Sequence, residues 1–228
     1  MLRSSFILTS LLLIPSVASA STILTSFKPI QMIVTELTQG VSEPDVVMNS
    51  NASPHDYALK PSDVKKIQNA DMLIWFGPDL EAFLTKVAKS NDNLVTISEI
   101  PNINLREFGE DPHDHHHDGH DHGSHDPHFW LGIDQVEVAS SYISNKLVEV
   151  DPQNADVYKK NLEVFLSQLA DKKRSIEAQL APVKDKGYYV FHDAYSYYED
   201  EFGLKSITMS HIFPLKTLII LSCEYGYF

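Results

Sequence analysis

The chain has 228 residues, with 18 Lys and Arg against 31 Asp and Glu, a formal charge of −13 at pH 7. So acidic a chain repels nucleic acid and attracts cations. Its single cysteine, Cys223, excludes an internal disulfide, so packing alone must hold one large domain or two small lobes.

The chain opens with MLRSSFILTSLLLIPSVASA. Arg3 supplies a positive start, Phe6 to Val17 an apolar stretch and Ala18-Ser19-Ala20 a small-residue cleavage site, the layout of a secretory signal peptide over residues 1–20. The apolar stretch is shorter than the ~20 residues that span a bilayer, so cleavage after Ala20 is expected rather than anchoring. No cysteine stands at the cut to carry a lipid.

Residues 22–26 then predict a strand. Ile30, Ile33, Val34 and Leu37 share one helix face, with Gly40 beyond it as a left-handed cap. Val46-Val47-Met48 predicts a second strand, followed by the polar loop NSNASPHDYALK, which contains His55. Pro61 opens a helix, a place that suits its fixed φ. MLIWF (72–76) predicts a strand ended by Gly77-Pro78. Leu80, Phe83, Leu84, Val87 and Ala88 predict an amphipathic helix, and LVTI (94–97) a fourth strand. Alternating strands and helices imply an α/β fold with a parallel sheet, whose ligands meet the loops at the carboxyl ends of strands.

Between residues 109 and 128 the pattern breaks: eight of twenty residues are His and six are Asp or Glu. Nothing there can bury an apolar face. Helical sequence resumes over 134–150, is interrupted at Asp151-Pro152, and continues as a long helix to about Ala181-Pro182. Tyr158, Leu162, Phe165, Leu169, Ile176 and Leu180 mark its packing face. Such a helix, nearly 40 Å long at ~1.5 Å per residue, can span two lobes. GYYVFHDAYSYYEDEFG (187–203) reads as strand, loop and helix, with His192 directly after the apolar run. The rest offers one more strand and an apolar piece too short to cross a membrane.

Neutral imidazole is a common ligand for zinc, and suits copper and nickel too. His113, His115, His116, His117, His120, His122 and His125 therefore form a divalent-metal collector. Ordering such a loop costs on the order of 1–2 kcal/mol per residue fixed, which favours many weak overlapping sites over one tight one. His128 differs, because Phe129-Trp130-Leu131 can hold its ring in one orientation. His55 and His192 each follow an apparent strand; taken singly, such a histidine is more often a satisfied polar residue than a ligand. No H-E-x-x-H or paired C-x-x-C spacing is present.

Three stretches in order, SPHDYALKPSDVKKIQNADMLIWFGPDLEAFL, the His-rich loop ending in DPHFWL, and GYYVFHDAYSYYEDEFGL, resemble the ZnuA-like family of periplasmic zinc-binding proteins. The resemblance covers residues 21–205. It implies a two-lobed α/β solute-binding protein with parallel sheets joined by a long linker helix, and a metal between the lobes. The parts would be an N-terminal lobe over 21–132 including the His-rich loop 109–127, a helical segment over 133–182 and a C-terminal lobe over 183–228. It carries metal-ligand roles onto His55, His128 and His192, and implies Zn2+ as the transported ligand of a monomer that serves an ABC permease and its ATPase. In related manganese proteins a carboxylate stands at the position of His192; an imidazole there favours zinc. Pro54 replaces a Glu found in some members, and the match fades after Lys205, so an incomplete C-terminal lobe is expected, with Cys223 in the unmatched tail. The competing readings are a zinc reservoir or chaperone without a transporter, and a zinc hydrolase using the His-Asp pairs at 55–56 and 192–193, for which no general base or phosphate cradle is visible.

Overall fold

A computed structural model describes residues 21–48, 57–107, 125–190 and 194–208, the side chains of 206–208 excepted. Four short strands, β1 (Ile23–Thr25), β2 (Asp45–Val46), β3 (Met72–Trp75) and β4 (Leu94–Thr96), form an all-parallel sheet in the order β2-β1-β3-β4. The register sets Leu24 beside Asp45, Ile23 beside Met72 and Leu73 beside Leu94. Every residue of β3 is buried, as expected of a central parallel strand covered on both faces. Helices α1 (Lys28–Leu37) and α2 (Pro61–Asn69) make the crossovers. Pro29 lies in the first turn of α1, and the Asp63 carboxylate accepts the Lys60 N–H at 2.9 Å to cap α2. Gly40 has φ +78, the left-handed conformation anticipated beyond α1.

The expected helix over 80–88 is shorter in the structure. A 3-10 turn at Ala82–Leu84 leads into a single turn, α3 (Thr85–Ala88). Glu81 is held non-helical at φ −117, ψ 52, because its carboxylate turns back to accept the Phe76 N–H at 2.8 Å. The apolar spacing is right; the strand end takes the first turn.

Beyond the sheet, α4 (Ile133–Val150) and the 26-residue α5 (Ala155–Leu180) pack as an antiparallel pair, with a 3-10 turn at Pro152–Asn154 between them. Tyr158 is fully buried at the start of α5, while Leu162, Phe165 and Leu169 are half-buried against the sheet's core. Then come β5 (Tyr188–Val190), α6 (Ser196–Phe202) and β6 (Ser206–Thr208); β5 and β6 pair in parallel as a second, separate sheet. Gly203, at φ +64, ends α6. Among the described residues, no helix is long and apolar enough to cross a membrane.

Candidate metal centre

The sheet order places β2 on one side of β1 and β3 on the other, so successive crossovers run in opposite directions from the β1–β3 pair. That makes the carboxyl ends of those two strands the topological switch point of the sheet, the place where parallel α/β sheets bind ligands. Phe27 follows β1 there, and Phe76 and Gly77 follow β3. His128 is fixed beside these strand ends by the three residues after it, which form a 3-10 turn. Phe129, fully buried, stacks on Phe76 with ring centroids 5.9 Å apart. Trp130 packs edge-on against Phe27 at 5.3 Å and against the His128 ring at 5.2 Å. The Phe-Trp-Leu anchor does what its composition suggests.

The group that orients the imidazole is one that no sequence motif singles out. Asp126 Oδ1 accepts the His128 backbone N–H at 3.0 Å and stands 2.7 Å from Nδ1 of the ring. Both side chains are nearly buried, at 12% and 6% exposure. A carboxylate on Nδ1 selects the tautomer with its lone pair on Nε2, the arrangement that metal-ligating histidines commonly use. The Asp-Pro-His spacing was the available signal, since it returns the aspartate to the ring two residues on.

His125 is also held in place. Its backbone bridges Glu107 in antiparallel fashion, and its Nδ1 lies 2.7 Å from Asp79 Oδ2. Asp126 N–H donates to the Arg106 carbonyl at 2.8 Å. The chain thus enters and leaves the His-rich segment through a closed neck, 106–107 against 125–126. His113, His115, His116, His117, His120 and His122 lie outside the described residues, as do His55 and His192. The segment with His55 is flanked by Met48, whose N–H pairs with Ser26 at the carboxyl end of β1, and by Tyr57, which packs on Phe83. The segment with His192 is flanked by Val190, the last residue of β5, and by buried Ala194. Among the described residues, no three His, Cys, Asp or Glu side chains form a metal-holding group.

A second carboxylate lies at the end of β3. Glu81 is fully buried, and its Oε2 accepts the Phe76 and Gly77 N–H groups at 2.8 and 3.4 Å. Burial pushes its pKa up to about 7, against the opposing pull of the Ser26 hydroxyl and those two N–H donors. The hydroxyl lies near enough to act on the charge, yet no well-formed hydrogen bond joins Ser26 Oγ to Glu81 Oε1. Gly77, at φ +139, lets the chain turn here: a Cβ would run into the Ser98 hydroxyl.

A parallel sheet with an oriented histidine at its switch point, tied by a long helix to a further α/β unit, defines a two-lobed solute-binding protein. Residues 23–217 match the family model described as ZnuA, zinc-uptake complex component A, periplasmic. The chain belongs to that family, and the match runs past Lys205, where the quoted motifs end. It is 36% identical to the high-affinity zinc uptake system protein ZnuA of Yersinia pestis, over 90% of this chain and 71% of that protein. Identity to the ZnuA of Haemophilus ducreyi is 37%, over 94% of this chain and 74% of that one. A crystal structure of a zinc-bound ZnuA deletion mutant superposes with a TM-score of 0.73 at 25% identity, over 91% of this chain and 79% of its own. These are solute-binding proteins, not enzymes.

Proposed function

We propose that the protein captures zinc in the periplasm, after cleavage of its leader behind Ala20, and delivers it to an ABC-type permease driven by its ATPase. Zinc is the cargo, bound by imidazoles of His55, His128 and His192. A fourth tetrahedral position is left for water or a carboxylate. His113, His115, His116, His117, His120 and His122 collect metal loosely, with His125 at the edge of the neck. The lobes would be 21–132 and 183–228, linked through 133–182, so that a metal shared by His128 and His192 draws them together and the permease reads that arrangement.

The observation that carries this reading is the Asp126–His128 pair seated at the switch point of the sheet. The segments bearing His55 and His192 support it, since they follow the carboxyl ends of β2 and β5. A competitive zinc titration of the full chain tests it. His192→Ala is expected to abolish the tightest site, while deletion of 113–122 lowers the number of ions bound and leaves the tightest Kd in place. The reverse ranking refutes the division of roles. Restored zinc-limited growth of an uptake-deficient strain separates transport from storage.

A further inference from the structure

We propose that Tyr197 is a positioning residue for the metal centre: its hydroxyl, reaching in from α6, joins the two sides of the neck and holds Asp126 where it can orient His128. The assignment rests on His128 being a zinc ligand, as proposed above. Tyr197 is only 3% exposed, whereas Tyr195 beside it is 44% exposed. Its hydroxyl accepts the Arg106 N–H at 3.0 Å and donates to the Asp126 carbonyl at 2.7 Å. The Asp126 N–H returns to the Arg106 carbonyl at 2.8 Å, which closes a ring of hydrogen bonds around the neck. Asp126 is therefore pinned through both its N–H and its carbonyl, and its carboxylate is left to face His128.

The rest of α6 docks on the same region. Asp200 pairs with Arg106, and Glu201 accepts the Ile133 N–H at 2.7 Å while pairing with Lys173 at 2.6 Å. Contacts at 106, 126 and 133 bracket His128 from both sides in sequence. A helix of the far lobe thus supports the imidazole of the near one without supplying a ligand. Burial, with Asp126 nearby adding to it, pushes the phenol up to about 12 against the pull of the Arg106 N–H, so the hydroxyl keeps its proton at physiological pH.

Tyr197→Phe removes the hydroxyl and keeps the ring. In the full chain, zinc Kd measured against a chromophoric chelator is expected to weaken roughly tenfold, the lower end of what supporting hydrogen bonds to a metal ligand contribute. In an Asp126→Asn background the same change is expected to add no more than about twofold, because both act through one carboxylate. The 15N spectrum of the metal-free protein should show the His128 imidazole moving from the Nδ1–H tautomer toward a mixture. Unchanged Kd and imidazole signals beside a lowered melting temperature would make the hydroxyl purely structural and overturn the proposal; so would an undiminished loss in the Asp126→Asn background. If Tyr197→Phe does not fold, 3-fluorotyrosine at 197 is expected to give a smaller imidazole shift in the same direction, and no shift overturns the assignment. The imidazole signal needs no metal, so if Tyr197→Phe shifts it while the wild-type chain binds no zinc, the proposed function falls and only the hydroxyl's hold on the Asp126–His128 pair stands.

Discussion

Glu81→Gln tests the electrostatics at the carboxyl end of β3. The wild-type carboxyl titrates at about 7 in the folded protein against a reference of 4.5, a difference worth about 3 kcal/mol. Because the folded value is the higher one, folding takes up a proton between the two. Below pH 4.5 both states are protonated and the group contributes no pH dependence. Stability then falls as pH rises toward 7, and above that the folded state carries the whole cost of a buried charge. Glutamine is neutral throughout, and its carbonyl oxygen can still accept the Phe76 and Gly77 N–H groups. The variant is expected to gain on the wild type by about 3 kcal/mol between pH 4.5 and pH 8. Denaturant unfolding of metal-free protein at several pH values, followed by fluorescence of the buried Trp75 and half-buried Trp130, measures the gap. Parallel stability curves for the two proteins would refute the assignment of that proton to Glu81.

Gly77→Ala places a Cβ against Ser98 and forces an unfavourable φ, so a loss of roughly 2–4 kcal/mol is expected in a thermal melt. Tyr158→Phe removes the 2.8 Å hydrogen bond to buried Asp151 and leaves that carboxylate with the Asn154 amide, for a loss of about 1–3 kcal/mol by chemical denaturation. Asp79→Asn weakens a partly exposed pair with His125, and its cost should stay near 1 kcal/mol or below in the same assay. Asp126→Asn deprives His128 Nδ1 of its carboxylate, and zinc Kd by chelator competition should weaken about 10- to 100-fold.

The fold was legible where one periodicity ruled. The parallel sheet followed from strands of buried apolar runs separated by amphipathic helices, and α5 from its i, i+3, i+4 face. Periodicity misled at 80–88, where Glu81 serves the strand end before the helix begins, a use of a side chain that no local spacing reports. His128 could be singled out because three apolar residues follow it. Its partner Asp126 could not, since acidic residues are abundant throughout the tract and only the bend at Pro127 returns this one to the ring. Glu81, Asp79 and Tyr197 act across separations of 4 to 91 residues, and contacts of that kind become visible only once the chain is folded.

Helix α5 contains neither glycine nor proline along its 26 residues, and extends about 39 Å at ~1.5 Å per residue. A rod without a weak joint resists being bent in the middle. Torque applied at one tip therefore reaches the other with little loss. Relative movement of whatever its two ends carry is confined to the turns that flank it, at Pro152–Asn154 and after Leu180.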